Sequence, residues 1–165
     1  MPVKYEADRA LQVAIEMERL GQTFYESLAS GCGDAGIAAL ATRLAKDEER
    51  HIAVFTRMWN ALPPVHRGPP LTEQERFAAA GELRNKIMPD ASAVREVALS
   101  PDLRKALDMA IEMEAAAVDY YTGLASGRAG LLDAAVLTGI ANEEKAHLTM
   151  LQEQRERLFP QTTNP

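Results

Sequence analysis

Residues 10–18 read ALQVAIEME and residues 106–114 read ALDMAIEME, one phrase displaced by 96 positions. At the same displacement Tyr25 meets Tyr121, the LASG of residues 28–31 meets the LASG of residues 124–127, and the DEERH of residues 47–51 meets the EEKAH of residues 143–147. No gap is needed. A Glu, a Tyr and a Glu-x-x-His recurring in one fixed frame mark a duplicated unit, and oxygen and imidazole donors of this kind bind metal ions.

At 165 residues the chain has the size of one compact domain, expected to span residues 1–165. Hydrophobic residues make up 47 % and aromatics only 5 %. With abundant Ala, Leu, Glu and Arg, that balance favours helices over sheets, and the expected class is all-α. The net charge of −6, with no stripe of clustered Lys and Arg, argues against nucleic acid or an anionic membrane as the partner. Nothing at the N-terminus resembles a signal peptide, and no apolar run approaches the ~20 residues that span a bilayer, so a soluble, cytoplasmic chain is expected. Cys32 is the single cysteine, which excludes an internal disulfide and a Cys-x-x-Cys metal knuckle.

Helical periodicity organises the rest. From about 5 to 30, Leu11, Ile15, Glu18, Gln22, Tyr25 and Leu28 fall on one face, and Gly31, Gly33 and Gly36 are expected to supply left-handed positions in a tight turn. A second helix, about 37–61, carries Ile37, Leu40, Leu44, Glu48, His51, Phe55, Met58 and Leu62 inward. Glu18 and Glu48 each lie 15 residues from Gly33, so across an antiparallel hairpin they sit level, roughly 22 Å from its turn. The Pro-rich stretch LPPVHRGPPL at 62–71 opens a crossover that ends near 99. Within it, Thr72 and Glu75 read as a capping box for a short helix through about Lys86, with a break at Pro89 and Asp90. So long a connection lets the third helix run parallel to the second. Ser100 followed by Pro101 reads as the N-cap of that helix, running to about 126 with Leu107, Ile111, Glu114, Val118, Tyr121 and Leu124 inward. The last helix, about 131–158, carries Val136, Ile140, Glu144, His147, Leu151 and Leu158, and the tail FPQTTNP is expected to fray.

Glu18, Glu48 and His51 from one hairpin repeat (about 5–61) thus meet Glu114, Glu144 and His147 from the other (about 100–158) at one level of a four-helix bundle. Two Glu-x-x-His pairs plus a Glu from each remaining helix form the donor set that binds two metals in a bundle core. Two divalent cations neutralise its four carboxylates. Mixed nitrogen and oxygen donors favour iron or manganese, with zinc as another occupant.

The lines AIEMERLGQTFYESLA with LAKDEERHIAVF, and AIEMEAAAVDYYTGLA with IANEEKAHLTML, resemble the ferritin-like di-iron carboxylate superfamily, and within it the rubrerythrin-like branch. The resemblance covers nearly all of the chain outside the crossover and tail. It implies a ferritin-like four-helix bundle in which Glu48 and Glu144 bridge two irons, Glu18 and Glu114 are terminal ligands, and His51 and His147 each cap one metal. It further implies a centre that reacts with hydrogen peroxide or dioxygen, in peroxide detoxification or iron handling, as a peroxidase- or ferroxidase-type oxidoreductase. The alternative is a non-enzymatic metal-binding or iron-sequestering protein; a third reading is a substrate oxygenase, which needs an apolar channel to the metals.

Three features depart from the family pattern. Peroxide-reducing rubrerythrins carry a further Glu three residues after the third-helix ligand, where this chain has Ala117, so their redox exchange of ligands is not implied. They also carry a four-Cys rubredoxin domain; with only Cys32 here, electrons are expected from an external donor protein. Ferritins add a fifth short helix used in closing their cage, and only seven residues follow Leu158, so a homodimer is expected in place of a cage, with exchange of hairpins between chains left open.

Tyr25 and Tyr121 each lie seven residues after a ligand Glu. They read either as core residues or as donors that orient a ligand carboxylate from behind. Glu16 and Glu112 read as solvated or at a subunit contact, Asp47, Glu49 and Glu143 as surface charges, Met17 and Met113 as residues that point away from the site and pack between subunits, and His66 as a bystander.

Overall fold

Aspartate side chains start three of the helices. Asp34 accepts from the Ile37 N–H (2.9 Å), Asp102 from the Lys105 N–H (3.1 Å), and Asp133 from the Ala135 and Val136 N–H groups (2.9 and 3.2 Å). Each answers a backbone donor that has no partner within its own helix. In the computed structural model, which describes residues 6–75, 91–128 and 131–160, these caps open α2 (Ala35–Ala61), α4 (Leu103–Gly123) and α5 (Ala134–Leu158). The chain also forms α1 (Glu6–Gly31) and the short α3 (Ala91–Ala98), with a 3₁₀ turn at Pro64–His66 after α2 and a π turn at Leu124–Arg128 after α4. The described residues are all-helical, with no strand among them.

Several local expectations are corrected. Ser100 does not cap α4. Its hydroxyl accepts from the Asp102 N–H (3.1 Å), and the carboxylate of Asp102 takes over the cap because it can reach the Lys105 N–H. Helix α5 likewise begins at Ala134, leaving Leu131 outside it and exposed. Gly31, Gly33 and Gly36 adopt no left-handed backbone; among the described residues Gly127, with φ of 95°, is the glycine that does. Gly31 serves close approach instead, since a Cβ there would come within 2.8 Å of the Leu99 side chain. Phe159 does not fray: its ring lies under the Arg104 guanidinium at 4.9 Å, and its carbonyl accepts from Arg155. The rest of the tail, 161–165, lies outside the described residues.

The Thr72–Glu75 capping box forms as expected. The Thr72 N–H donates to Glu75 (2.9 Å), and the Glu75 N–H donates to the Thr72 hydroxyl (3.2 Å). The body of that expected helix, and the break at Pro89 and Asp90, lie outside the described residues. Before it, the Pro-rich segment is tied to α1 by buried polar groups. Gln12 accepts from the Leu71 N–H (2.7 Å) and donates to Asp8 (2.9 Å), which also accepts from the Trp59 indole (2.7 Å).

Helices α1 and α2 fold back on each other across residues 32–34, and α4 and α5 do the same across residues 124–133. The two pairs meet along α1 with α4 and along α2 with α5, while α3 lies against α1 and places Val94, Val97 and Ala98 in the interior. Tyr25 of α1 hydrogen-bonds Glu114, and Tyr121, one residue set further along α4, hydrogen-bonds Glu18. The pairing reverses order along the chain, so α1 and α4 are antiparallel and α4 runs parallel to α2.

Two apolar clusters fill the interior. One gathers Phe24, Leu28, Ile37, Leu44, Leu107 and Leu151; the other gathers Leu11, Ile15, Phe55, Leu62, Leu137 and Ile140. Between them lies a layer of buried ionisable groups, Glu18, Glu48, His51, Glu114, Glu144 and His147. Gln22, placed on the inward stripe by spacing, stays half-buried and donates to Glu26 (3.0 Å), while Gly21 takes the inward position.

The cap assignment is checked by urea denaturation. Asp102→Ala is expected to cost about 1 kcal/mol, the usual value of a lost N-cap, and Ser100→Ala only a few tenths.

Candidate metal centre

Four carboxylates and two imidazoles do not enter an apolar interior without strong partners, because each ionised group loses its hydration there. Here they partner one another. Donor atoms of Glu18, Glu48, His51 and Glu144 lie within 4.8 Å of one another, and so do those of Glu48, Glu114, Glu144 and His147. Glu48 and Glu144 belong to both groups. The six residues that sequence spacing singles out are therefore brought together by α1, α2, α4 and α5, every one of them buried.

The imidazoles are aligned by what flanks them. The Nδ1 atom of His51 faces Glu18 (3.2 Å) and Glu144 (2.8 Å), and that of His147 faces Glu144 (3.0 Å) and, further off, Glu114 (3.8 Å). Their Nε2 atoms face outward, His51 toward Glu143 (2.9 Å) and His147 toward Asp47 (3.3 Å). A carboxylate only accepts, so Nε2 carries a proton in each ring and Nδ1 is the atom turned to the carboxylates inside. The two rings stack with centroids 6.1 Å apart.

Burial raises the Glu48 pKa well above the usual carboxylate range, with the Glu18 charge adding to it. Burial likewise pushes Glu114 up to about 7, although its hydrogen bond with His147 opposes the shift. Glu144 goes the other way. Burial acts to raise it, but the His147 hydrogen bond and the facing His51 ring outweigh that and hold it at about 2. For the imidazoles burial favours the neutral form, yet the facing carboxylates prevail, raising His51 strongly and His147 to about 10. Burial, together with the nearby Glu114 and Glu18 charges, raises Tyr25 and Tyr121 well above 10, so both hydroxyls remain protonated donors.

One atom in the layer stands out: the Glu144 Oε1, fully buried, is approached by the His51 Nδ1 (2.8 Å) but is left without a well-formed hydrogen bond. A buried carboxylate oxygen left so is suited to a cation. A cavity of about 20 Å³, lined by neither imidazole, touches Glu18, Glu48, Glu114 and Glu144 and is walled by Met17, Met113, Gly21 and Ala117. No protein-family model, curated protein or solved structure matches the chain. The side chains themselves therefore define the centre: buried Glu and His groups that can hold metal ions.

Other side chains take places that spacing alone did not suggest. Met17 and Met113 do not point away from the site; both are buried and wall the cavity. Asp47 and Glu143 are not simply surface charges, since each meets the outer nitrogen of a histidine on the other helix pair. The signal for them was present: both stand immediately before a buried Glu, at the repeat displacement. Tyr25 and Tyr121 do bond carboxylates of the layer, and each reaches across to the helix facing its own. Glu16 pairs with Arg19 (2.7 Å), while Glu49 and Glu112 are exposed. His66 lies in the turn at Pro64–His66, apart from both groups.

The pKa directions fix how stability depends on pH in chelator-treated protein. Glu114, raised from 4.5 to about 7, stabilises fully below pH 4.5 and loses that contribution as pH rises through 7. His147, raised from 6.5 to about 10, contributes fully below pH 6.5 and is lost as pH rises through 10. Glu144, lowered to about 2, contributes above pH 4.5 and is lost as pH falls toward 2. The urea midpoint is expected to decline from pH 5 to pH 9; a rise over that range would contradict the pairing.

Proposed function

We propose that the chain is a ferritin-like four-helix bundle of the rubrerythrin-like kind, one domain built from two repeated hairpins, that holds two iron ions and reacts with hydrogen peroxide or dioxygen. The observation that carries this reading is the sharing of Glu48 and Glu144 between two four-residue groups, each completed by one Glu and one His. Glu18 and His51 would hold one ion, Glu114 and His147 the other, with Glu48 and Glu144 between them. The donor set fits: four carboxylates balance two divalent cations, both Nδ1 atoms turn inward, and the Glu144 Oε1 awaits a partner. Two ferrous ions held there would supply the two electrons that, with two protons, reduce hydrogen peroxide to two waters and leave both irons ferric. Manganese and zinc are suited to the same donors.

The protein's own groups then have defined tasks. Tyr25 and Tyr121 donate to Glu114 and Glu18 and hold those carboxylates in place across the helix interface. Asp47 and Glu143 fix both imidazoles in the tautomer that frees Nδ1 for a metal. The two apolar clusters exclude bulk water on either side of the layer. The cavity of about 20 Å³ admits one or two water-sized molecules. That size suits a small oxidant and favours it over the bulky organic substrate of an oxygenase. We propose that an electron-donor protein closes the catalytic cycle and that the chain acts as a homodimer.

Loading the site is expected to expel protons, because the raised pKa of each imidazole keeps its Nδ1 protonated at neutral pH and burial shifts the Glu48 carboxyl toward its protonated form. Two equivalents of manganese(II) added at pH 7 in weak buffer should release two or more protons per chain, read with a pH indicator; no release would contradict the ligand set.

Turnover is tested separately. Glu48→Ala combined with Glu144→Ala is expected to abolish binding of two irons per chain, and unchanged binding would refute the assignment. Stopped-flow absorbance of the ferrous protein mixed with peroxide is expected to show rapid oxidation. Two bound irons that fail to oxidise would favour the iron-sequestering alternative.

A further inference from the structure

The two halves of the centre are related by the repeat, but on its outer side Arg50 has no charged counterpart. Arg50 of α2 has Ala146 at the repeat displacement. A single guanidinium nitrogen of Arg50, Nη2, donates to Asp47 Oδ1 (2.9 Å) and to Glu143 Oε2 (2.7 Å). Glu143 Oε2 in turn accepts from His51 Nε2 (2.9 Å), and the other oxygen of Asp47 meets His147 Nε2 (3.3 Å). One chain of contacts therefore runs His51–Glu143–Arg50–Asp47–His147, crossing between α2 and α5.

We infer that Arg50 is a positioning residue for both imidazoles at once: one surface cation that sets the outer carboxylate of each histidine and so couples the two halves of the centre. This rests on the metal reading above. Two like charges brought to one nitrogen stay together only while a cation lies between them. Without it, Asp47 and Glu143, whose side chains are 27 % and 42 % exposed, would turn to water, and each ring would lose the acceptor that fixes its tautomer. Arg50 is itself half exposed, and an exposed ion pair contributes little to folding. Its removal is felt in metal affinity, where such supporting contacts are worth roughly 10- to 100-fold.

The test is titration of the full chain with cobalt(II) against a chromogenic chelator, with the visible absorption of bound cobalt recorded in parallel. Arg50→Ala and Arg50→Gln are expected to weaken both equivalents by about tenfold or more and to shift the cobalt bands, while chelator-treated protein keeps its helical circular dichroism. Arg50→Lys, which restores a cation and donor, should recover most of the affinity. Arg19→Ala, removing only the exposed ion pair with Glu16, should leave binding unchanged. Affinity unchanged in both neutral variants, or lost for one equivalent alone, would overturn the shared role. Failure of the unsubstituted protein to bind two cobalt ions would defeat the metal reading itself, and it would show before any variant is made. Should Arg50→Ala not fold, the Gln and Lys variants decide.

Discussion

Everything in this molecule answers to one constraint: four carboxylates and two imidazoles share a buried layer between two apolar clusters. A lone carboxylate in such a place would be costly, and four would repel one another. The layer is tolerable because opposed groups divide the charge, pushing Glu48 and Glu114 toward the protonated form, Glu144 away from it, and both histidines toward the imidazolium. Two divalent cations would replace those protons and neutralise the same charge.

The contacts that hold the layer cross between the helix pairs. Tyr25 and Tyr121 each donate to the opposite pair, Glu143 and Asp47 each steady the histidine of the other, and Arg50 spans both. Close backbone approach is concentrated within each pair, so between the pairs it is largely these side chains that set the register. Fold and site are in this sense one interaction. The apolar clusters supply most of the favourable burial, whereas the polar layer dictates how the helices are matched.

Much of this was legible in the sequence because it depends on local geometry. A Glu-x-x-His pair on a helix shows one face whatever the tertiary context, and equal distances from a turn keep Glu18 level with Glu48 and Glu114 level with Glu144. Other details escaped. Ser100 and Asp102 are both good caps, and only the reach of a carboxylate to the Lys105 N–H decides between them. Met17 and Met113 sit next to buried Glu residues in sequence, which spacing reads as a different face, yet the interior is wide enough at this level to enclose them. Gln22 falls on the inward stripe, but Gly21 is the residue that fits, because a Cβ there would come within 3.2 Å of the Glu48 carboxylate.

By itself, then, the sequence determined the all-helical class, the six buried donors and their duplication, since helical period and a fixed displacement suffice for each. Which donors face which could not be read that way. The sharing of Glu48 and Glu144, the crossed tyrosines, the outward pairing of each imidazole with an acid from the other half, and the single guanidinium closing that circuit were decided only when the two pairs came together, because each is a contact between residues about 90 to 100 positions apart.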